Sequence, residues 1–276
     1  MQLTAENYYS PEANYEYMSV SQFKDFAGTY GQVRCEALAM AKLRGEYQEK
    51  KTTSLLVGSY VDSYFEGTLD KFKMENPEIF TKTSQKKYPD DPEKWELLSD
   101  YKQANNIIAR IERDEFFMAH MAGEKQVIMT GELFGLPWKI KIDSYLEGIA
   151  IVDLKVMASL TKHEWVRDIG YLDFVRYWGY DIQAAVYQEI VYQNTGKRLP
   201  FYIAGASKEK ATNIKIVHVQ DNYLQEAMNI VKYNIERVKL VKYGEVIPDR
   251  CGNCDYCRET EVLTAPITIS DLVADI

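Results

Sequence analysis

The first seventeen residues show little apolar periodicity and read as an irregular arm. From Met18 to Phe26 the pattern becomes helical, with Ser19 or Ser21 as N-cap and Phe23 and Phe26 on the buried face. ALAMAKLRG, after Cys35, is built from good helix formers. Ser54 to Leu69 predicts a further helix, because Leu55, Leu56, Tyr60, Ser63 and Tyr64 recur at roughly helical spacing. Gly58 sits in its middle, where glycine costs about 1 kcal/mol relative to alanine, and close packing is the expected reason. Residues 70–92 are polar and rich in lysine and predict a long irregular segment. Pro92 to Met121 reads as helical, with Trp95, Leu98, Tyr101, Ile107, Ile108 and Ile111 on one stripe, and Glu124 to Thr130 starts a sheet.

The period then changes to that of strands. Phe134 to Tyr145 alternates loosely and carries Asp143; Leu146, Glu147 and Gly148 make a reversal; Ile149 to Leu154 is a short apolar run suited to a buried central strand. That strand carries Asp153 and then Lys155. Residues two apart on a strand share a face, so these two project together, and Asp143 can lie beside them. Two carboxylates and an ammonium at the end of a buried strand are costly unless something binds there. A divalent metal and a phosphate would satisfy all three. The plainer reading of so short a pattern is an Asp–Lys pair on the solvent face of a hairpin.

Beyond a polar connection, Leu172 to Asn194 predicts one strong helix with Gly196 closing it; Gln183 and Tyr187 are four apart and share a face. Phe201 to Ser207 and Asn213 to Val219 have the period of strands, and Asp221 to Val241 is amphipathic, with Ala227, Ile230, Val231, Ile235, Val238 and Leu240 apolar. This order predicts a mixed central sheet flanked by helices, α/β or α+β. The expected division is an arm over 1–17, one domain over 18–258 and a tail over 259–276.

Composition narrows the picture. The chain has 276 residues, 46% of them apolar, enough for a substantial core. No run reaches transmembrane length and the N-terminus is not a secretory signal, so a cytosolic protein with no membrane partner is expected. In that compartment the four cysteines are expected to be unpaired. A net charge of −8 argues against indiscriminate nucleic-acid binding by the whole surface, but leaves room for a local basic channel. Lys82, Lys86 and Lys87, and Lys139 and Lys141 beside the acidic strand, can reach phosphates or simply be solvated. His163 and His218 are expected to be structural or solvated.

Taken together, the motifs resemble the PD-(D/E)XK nuclease superfamily, in its RecB-like branch, and within that the RecE-type 5′→3′ exonucleases of phages and prophages. Asp143 matches the motif aspartate that ends the first core strand, and Asp153, Leu154 and Lys155 match D-x-K on the next. Gln183 and Tyr187 match the Q-x-x-x-Y helix. GSYVDSYFEG matches a helix that normally reads G-x-x-x-H, with Asp62 at the histidine position; Glu66, one turn on, is the alternative carboxylate. The resemblance implies one or two Mg²⁺ or Mn²⁺ held by Asp143, Asp153, Asp62 and the Leu154 carbonyl. Lys155 would orient or deprotonate water or offset charge, and Gln183 and Tyr187 would position the DNA end or the lysine. It implies digestion of the 5′ strand of linear duplex DNA, a single-strand annealing partner of the RecT type, and a closed ring of three or four chains. A non-catalytic DNA-end or protein-binding module and an endonuclease on the same fold are the alternatives. There is no P-loop, so no ATPase motor is expected.

Cys251, Cys254 and Cys257 lie at C-x2-C-x2-C spacing, and Cys35 is the remaining cysteine, far upstream. The tight triplet reads as metal-binding. Some RecB-like nucleases place one cysteine before the core and three after it around a 4Fe-4S cluster, and the resemblance extends to that arrangement. The C-terminal spacing here is tighter than in that group. A zinc ion or free thiols are the alternatives. The acidic, apolar tail, Ile267 to Ile276, is expected to fray rather than dock a partner.

Overall fold

Two runs of residues, one on each face of a four-stranded sheet, bury most of the apolar side chains. The structure, a computed structural model, describes residues 1–269. The N-terminal half is helical: α1 (Pro11–Glu16), α2 (Val20–Ala27), α3 (Glu36–Leu43), α4 (Thr53–Glu66), α5 (Leu69–Glu75), α6 (Lys82–Lys87), α7 (Ser99–Glu112) and α8 (Glu115–His120). Six strands follow: β1 (Val127–Leu133), β2 (Leu136–Ile142), β3 (Ser144–Leu146), β4 (Ala150–Met157), β5 (Glu164–Val166) and β6 (Gly170–Leu172). The chain continues through α9 (Phe174–Tyr177), α10 (Tyr180–Thr195), β7 (Phe201–Ser207), β8 (Ile214–Val219), α11 (Asp221–Lys242) and α12 (Asp255–Glu259).

The main sheet has the order β3-β4-β7-β8, with β4 and β7 parallel and the other neighbours antiparallel. The mixed α/β architecture expected from the pattern is therefore present. Alternation along β4 divides its side chains. Ile151 joins a core with α2, α10 and α11, whereas Ala150, Val152 and Leu154 join a second core with α4 and α7. Asp153 and Lys155 continue the Ile151 row, on the α10 side. α10 is buried over most of its circumference because it lies between the sheet and α11, which explains its run of Ile182, Ala184, Ala185, Val186, Ile190 and Val191.

Several expectations need correction. The strand expected over Phe134 to Tyr145 is two strands. Phe134 and Gly135 both adopt positive φ, 53° and 72°, and turn the chain in a two-residue hairpin between β1 and β2. Asp143 then breaks β2 from β3. Segment 70–92 is not irregular but holds α5 and α6, with Ile79 wholly buried. The stripe from Pro92 onward begins late: Leu98 is the N-cap of α7 and is exposed. The arm is docked, since α1 buries Ala13 and Tyr8 is 5% exposed. The connection after Lys155 contains the β5–β6 hairpin. The long helix from Leu172 is broken at Gly179, whose φ of 63° caps α10. Gly58 is not closely packed, because a Cβ there would meet nothing within 4 Å. Of the tail, residues 270–276 lie outside the described residues.

Candidate active site

Asp143 stands where β2 gives way to β3, beside the open end of β4. Its Oδ2 accepts a hydrogen bond from the Leu154 amide at 2.9 Å, and its Oδ1 one from Gln126 Nε2 at 3.3 Å. The carbonyl of a strand residue points to the same side as its N–H, so the Leu154 carbonyl also faces Asp143. Asp153 is 3% exposed; Gln183 Nε2 donates to its Oδ1 at 2.5 Å, across from α10. Lys155 Nζ lies 2.5 Å from Asp153 Oδ2 as an ion pair, without the alignment of a hydrogen bond. The same ammonium sits 5.1 Å from the ring centre of Tyr180. Asp62 comes from α4, in the other layer, and its Oδ1 is shielded from solvent with no hydrogen-bond partner.

The charges report a strained cluster. Asp62 and Asp143 touch the groove at one edge and are enclosed by protein elsewhere, so desolvation dominates both. Burial, and then the neighbouring Asp153, push Asp143 up to about 7. Burial and the Asp143 charge raise Asp62 well above the ordinary carboxylate range. Burial pulls Lys155 down, but Asp153 and Asp143 more than offset it, and Lys155 ends above its usual value. Asp62, Asp143 and Asp153 together, with an Asp62 oxygen that has no hydrogen-bond partner, form a hard-oxygen donor set that fits a divalent cation such as Mg²⁺ or Mn²⁺.

The cluster lies where two grooves meet. Asp62, Leu154 and Lys155 line both a groove of about 430 Å³ toward α2 and the arm and one of about 500 Å³ between α4 and α9. Glu66 reaches the first groove only, so Asp62 occupies the expected histidine position more fully. Tyr187 donates to the Lys141 carbonyl at 3.2 Å and so fixes β2 rather than Lys155. Lys139 is not on a solvated face: it is 1% exposed and donates to the Tyr8 carbonyl and to Asn14 Oδ1. Burial lowers it to about 8. Lys141 lies over the rings of Tyr8 and Tyr9 at the groove. Lys82, Lys86 and Lys87 are exposed, as are His163 and His218.

Three residues were missed by sequence reasoning. Gln126 holds Asp143, but nothing in EKQVIMT marks it; its φ of 56° is visible only in the fold. Tyr180 supports Lys155 and also Lys24, whose Nζ is 5.2 Å from the ring centre. Burial, then the Lys155 charge, lower Lys24 to about 8. Tyr180 could have been found three residues before Gln183, on the same helix face.

At the far end of α3 the four cysteines meet. Their sulfurs all lie within 4.8 Å of one another, and none forms a disulfide. The group can hold a metal ion.

Comparison with known proteins identifies the family. Residues 19–260 match the family described as a PDDEXK-like domain of unknown function (DUF3799), and the chain belongs to it. It is similar to the crystal structure of a candidate exonuclease from Eubacterium rectale, at 64% identity over the full length of both chains and a TM-score of 0.94. A structure of the protein SSO0001 aligns with 73% of this chain and 84% of its own, at 11% identity and a TM-score of 0.29, too low to carry an argument. No curated protein matches the chain. The fold is thus that of a PD-(D/E)XK nuclease. Among the described residues no helix is long and apolar enough to cross a membrane.

Proposed function

We propose that the protein is a metal-dependent exonuclease acting on linear double-stranded DNA. The observation that carries this reading is the convergence of Asp62, Asp143, Asp153 and Lys155 at the junction of two grooves, with a buried Asp62 oxygen unsatisfied. The similarity to a protein described as a candidate exonuclease supports it.

Asp62, Asp143, Asp153 and the Leu154 carbonyl would hold the metal. When bound, it supplies a Lewis acid and lowers the pKa of water at the scissile phosphate. Gln183 fixes the Asp153 carboxylate, and Gln126 with the Leu154 amide fixes that of Asp143, so the donors are oriented before substrate arrives. Lys155 keeps its proton at neutral pH because both aspartates face it. In that form it would donate to a phosphate oxygen and offset the charge of the transition state. A DNA strand entering one groove and leaving by the other passes its backbone over this cluster.

Polarity toward the 5′ strand, delivery of the 3′ overhang to an annealing protein, and a ring of three or four chains complete the proposal. The ring would turn basic surface inward and leave the acidic excess outside. The test is digestion of a linear duplex, labelled at either end, beside a covalently closed circle. Metal-dependent loss of the 5′ label with the circle intact is expected. Cleavage of the circle would replace the exonuclease reading with an endonuclease.

A further inference from the structure

The four-cysteine group joins two distant parts of the chain. Cys35 is the N-cap of α3, and Cys251, Cys254 and Cys257 surround the start of α12. Cys35 and Cys257 are each 3% exposed, while Cys251 and Cys254 are half-buried. The distances between sulfurs are 3.6 Å for Cys35–Cys257, 3.7 Å for Cys35–Cys254 and 4.0 Å for Cys251–Cys257. A tetrahedron of thiolates around one ion, with bonds of about 2.3 Å, has edges of about 3.8 Å. In a four-iron cluster each cysteine binds a different iron, which sets the sulfurs apart by the width of the cluster as well as by their own bonds. The spacing fits one ion and is too tight for a 4Fe-4S cube. The sulfurs are also farther apart than the ~2.05 Å of a disulfide.

The surrounding backbone suits thiolates. The amide of Cys254 donates to Cys251 Sγ at 3.3 Å, and that of Cys257 to Cys254 Sγ at 3.4 Å. Hydrogen bonds tie the start of this segment to α3, where the Ala37 amide donates to the Asp249 carbonyl at 2.9 Å, and little apolar packing adds to them. α12 has five residues, too few to be stable alone, and Cys257 is its one buried residue. A small cluster of Cys35, Ala37 and Cys257, with Leu38, Cys251, Cys254 and Tyr256 beside it and Tyr47 edge-on to Tyr256, supplies the apolar packing around it.

We infer that Cys35, Cys251, Cys254 and Cys257 bind a single structural zinc ion, in place of the iron–sulfur cluster that the RecB-like resemblance implies. The ion ties the C-terminal segment to α3. α3 carries Ala39, Lys42 and Leu43 into the wall of the active-site groove, so the zinc holds that wall without touching the substrate. Next to it, Glu36 accepts from Arg237 Nε at 3.0 Å and from the Asp249 amide at 2.9 Å, which joins α3 to α11 and the segment before Cys251.

The test is elemental analysis of the full chain, purified both aerobically and without oxygen from medium containing iron and zinc, together with thermal melts. One zinc per chain and no iron or brown colour in either preparation is the expected result. Cys251→Ser, at a half-exposed position, and Cys257→Ser should both lose the zinc and lower Tm. Four irons per chain with visible absorbance in the oxygen-free preparation would overturn the inference, as would a protein carrying neither metal whose Tm is unchanged by Cys251→Ser. None of these readings depends on cleavage of DNA, so the inference and the nuclease proposal fail separately.

Discussion

Lys155 and Asp153 are two residues apart on a strand, and that spacing alone placed them on one face. The same reasoning did not reach Gln126 or Tyr180, because their roles depend on a positive φ and on a ring approaching from α10. Replacing Lys155 by alanine should leave DNA binding nearly unchanged and reduce cleavage by about 10³-fold, within the range for losing one donor that stabilises transition-state charge; a binding assay beside a digestion assay checks both halves. Asp181 offers a separate test at pH. Burial pushes it up to about 6 from a usual 3.8. The folded protein therefore holds a proton there that the unfolded chain has lost, and stability contributed by this group rises as pH falls from above 6 toward 4. Asp181→Asn should stabilise the protein above pH 6 on the order of 2–3 kcal/mol, at ~1.4 kcal/mol per pK unit, and have little effect below pH 4. Urea unfolding at the two pH values measures it.

At the level of elements, the long periodic segments were legible and the punctuation was not. β7 and α11 fall within a residue of their expected bounds, because each has one strong period. The hairpin at Phe134 was hidden because a bulky residue occupies a position usually held by Asn or Gly. The break before α10 was hidden because Gly179 interrupts an otherwise continuous apolar pattern. Gly179→Ala should destabilise by at least about 1–2 kcal/mol, from its left-handed φ, and more because the new Cβ would lie 2.8 Å from Thr29 Cγ2. Gly58→Ala should do the opposite. It lies mid-α4 with open space around it and should add about 1 kcal/mol. Thermal melts of the two variants give the sign of each.

For the whole molecule, the sheet and its flanking layers followed from the order of periods, and the site followed from four short motifs that the fold brings together. That Asp62 joins Asp143 and Asp153 was implied by the resemblance and not by the pattern: Asp62 is on a helix packed against the opposite face of the sheet from Asp153, and both reach one groove. The decisive measurement compares wild-type protein and Asp153→Asn on an end-labelled linear duplex, with Mg²⁺ and with EDTA. Digestion by the wild type in Mg²⁺ alone and none by the variant is expected, with the variant still folded by its melting curve. Equal digestion by both proteins, or digestion in EDTA, would contradict the proposed function.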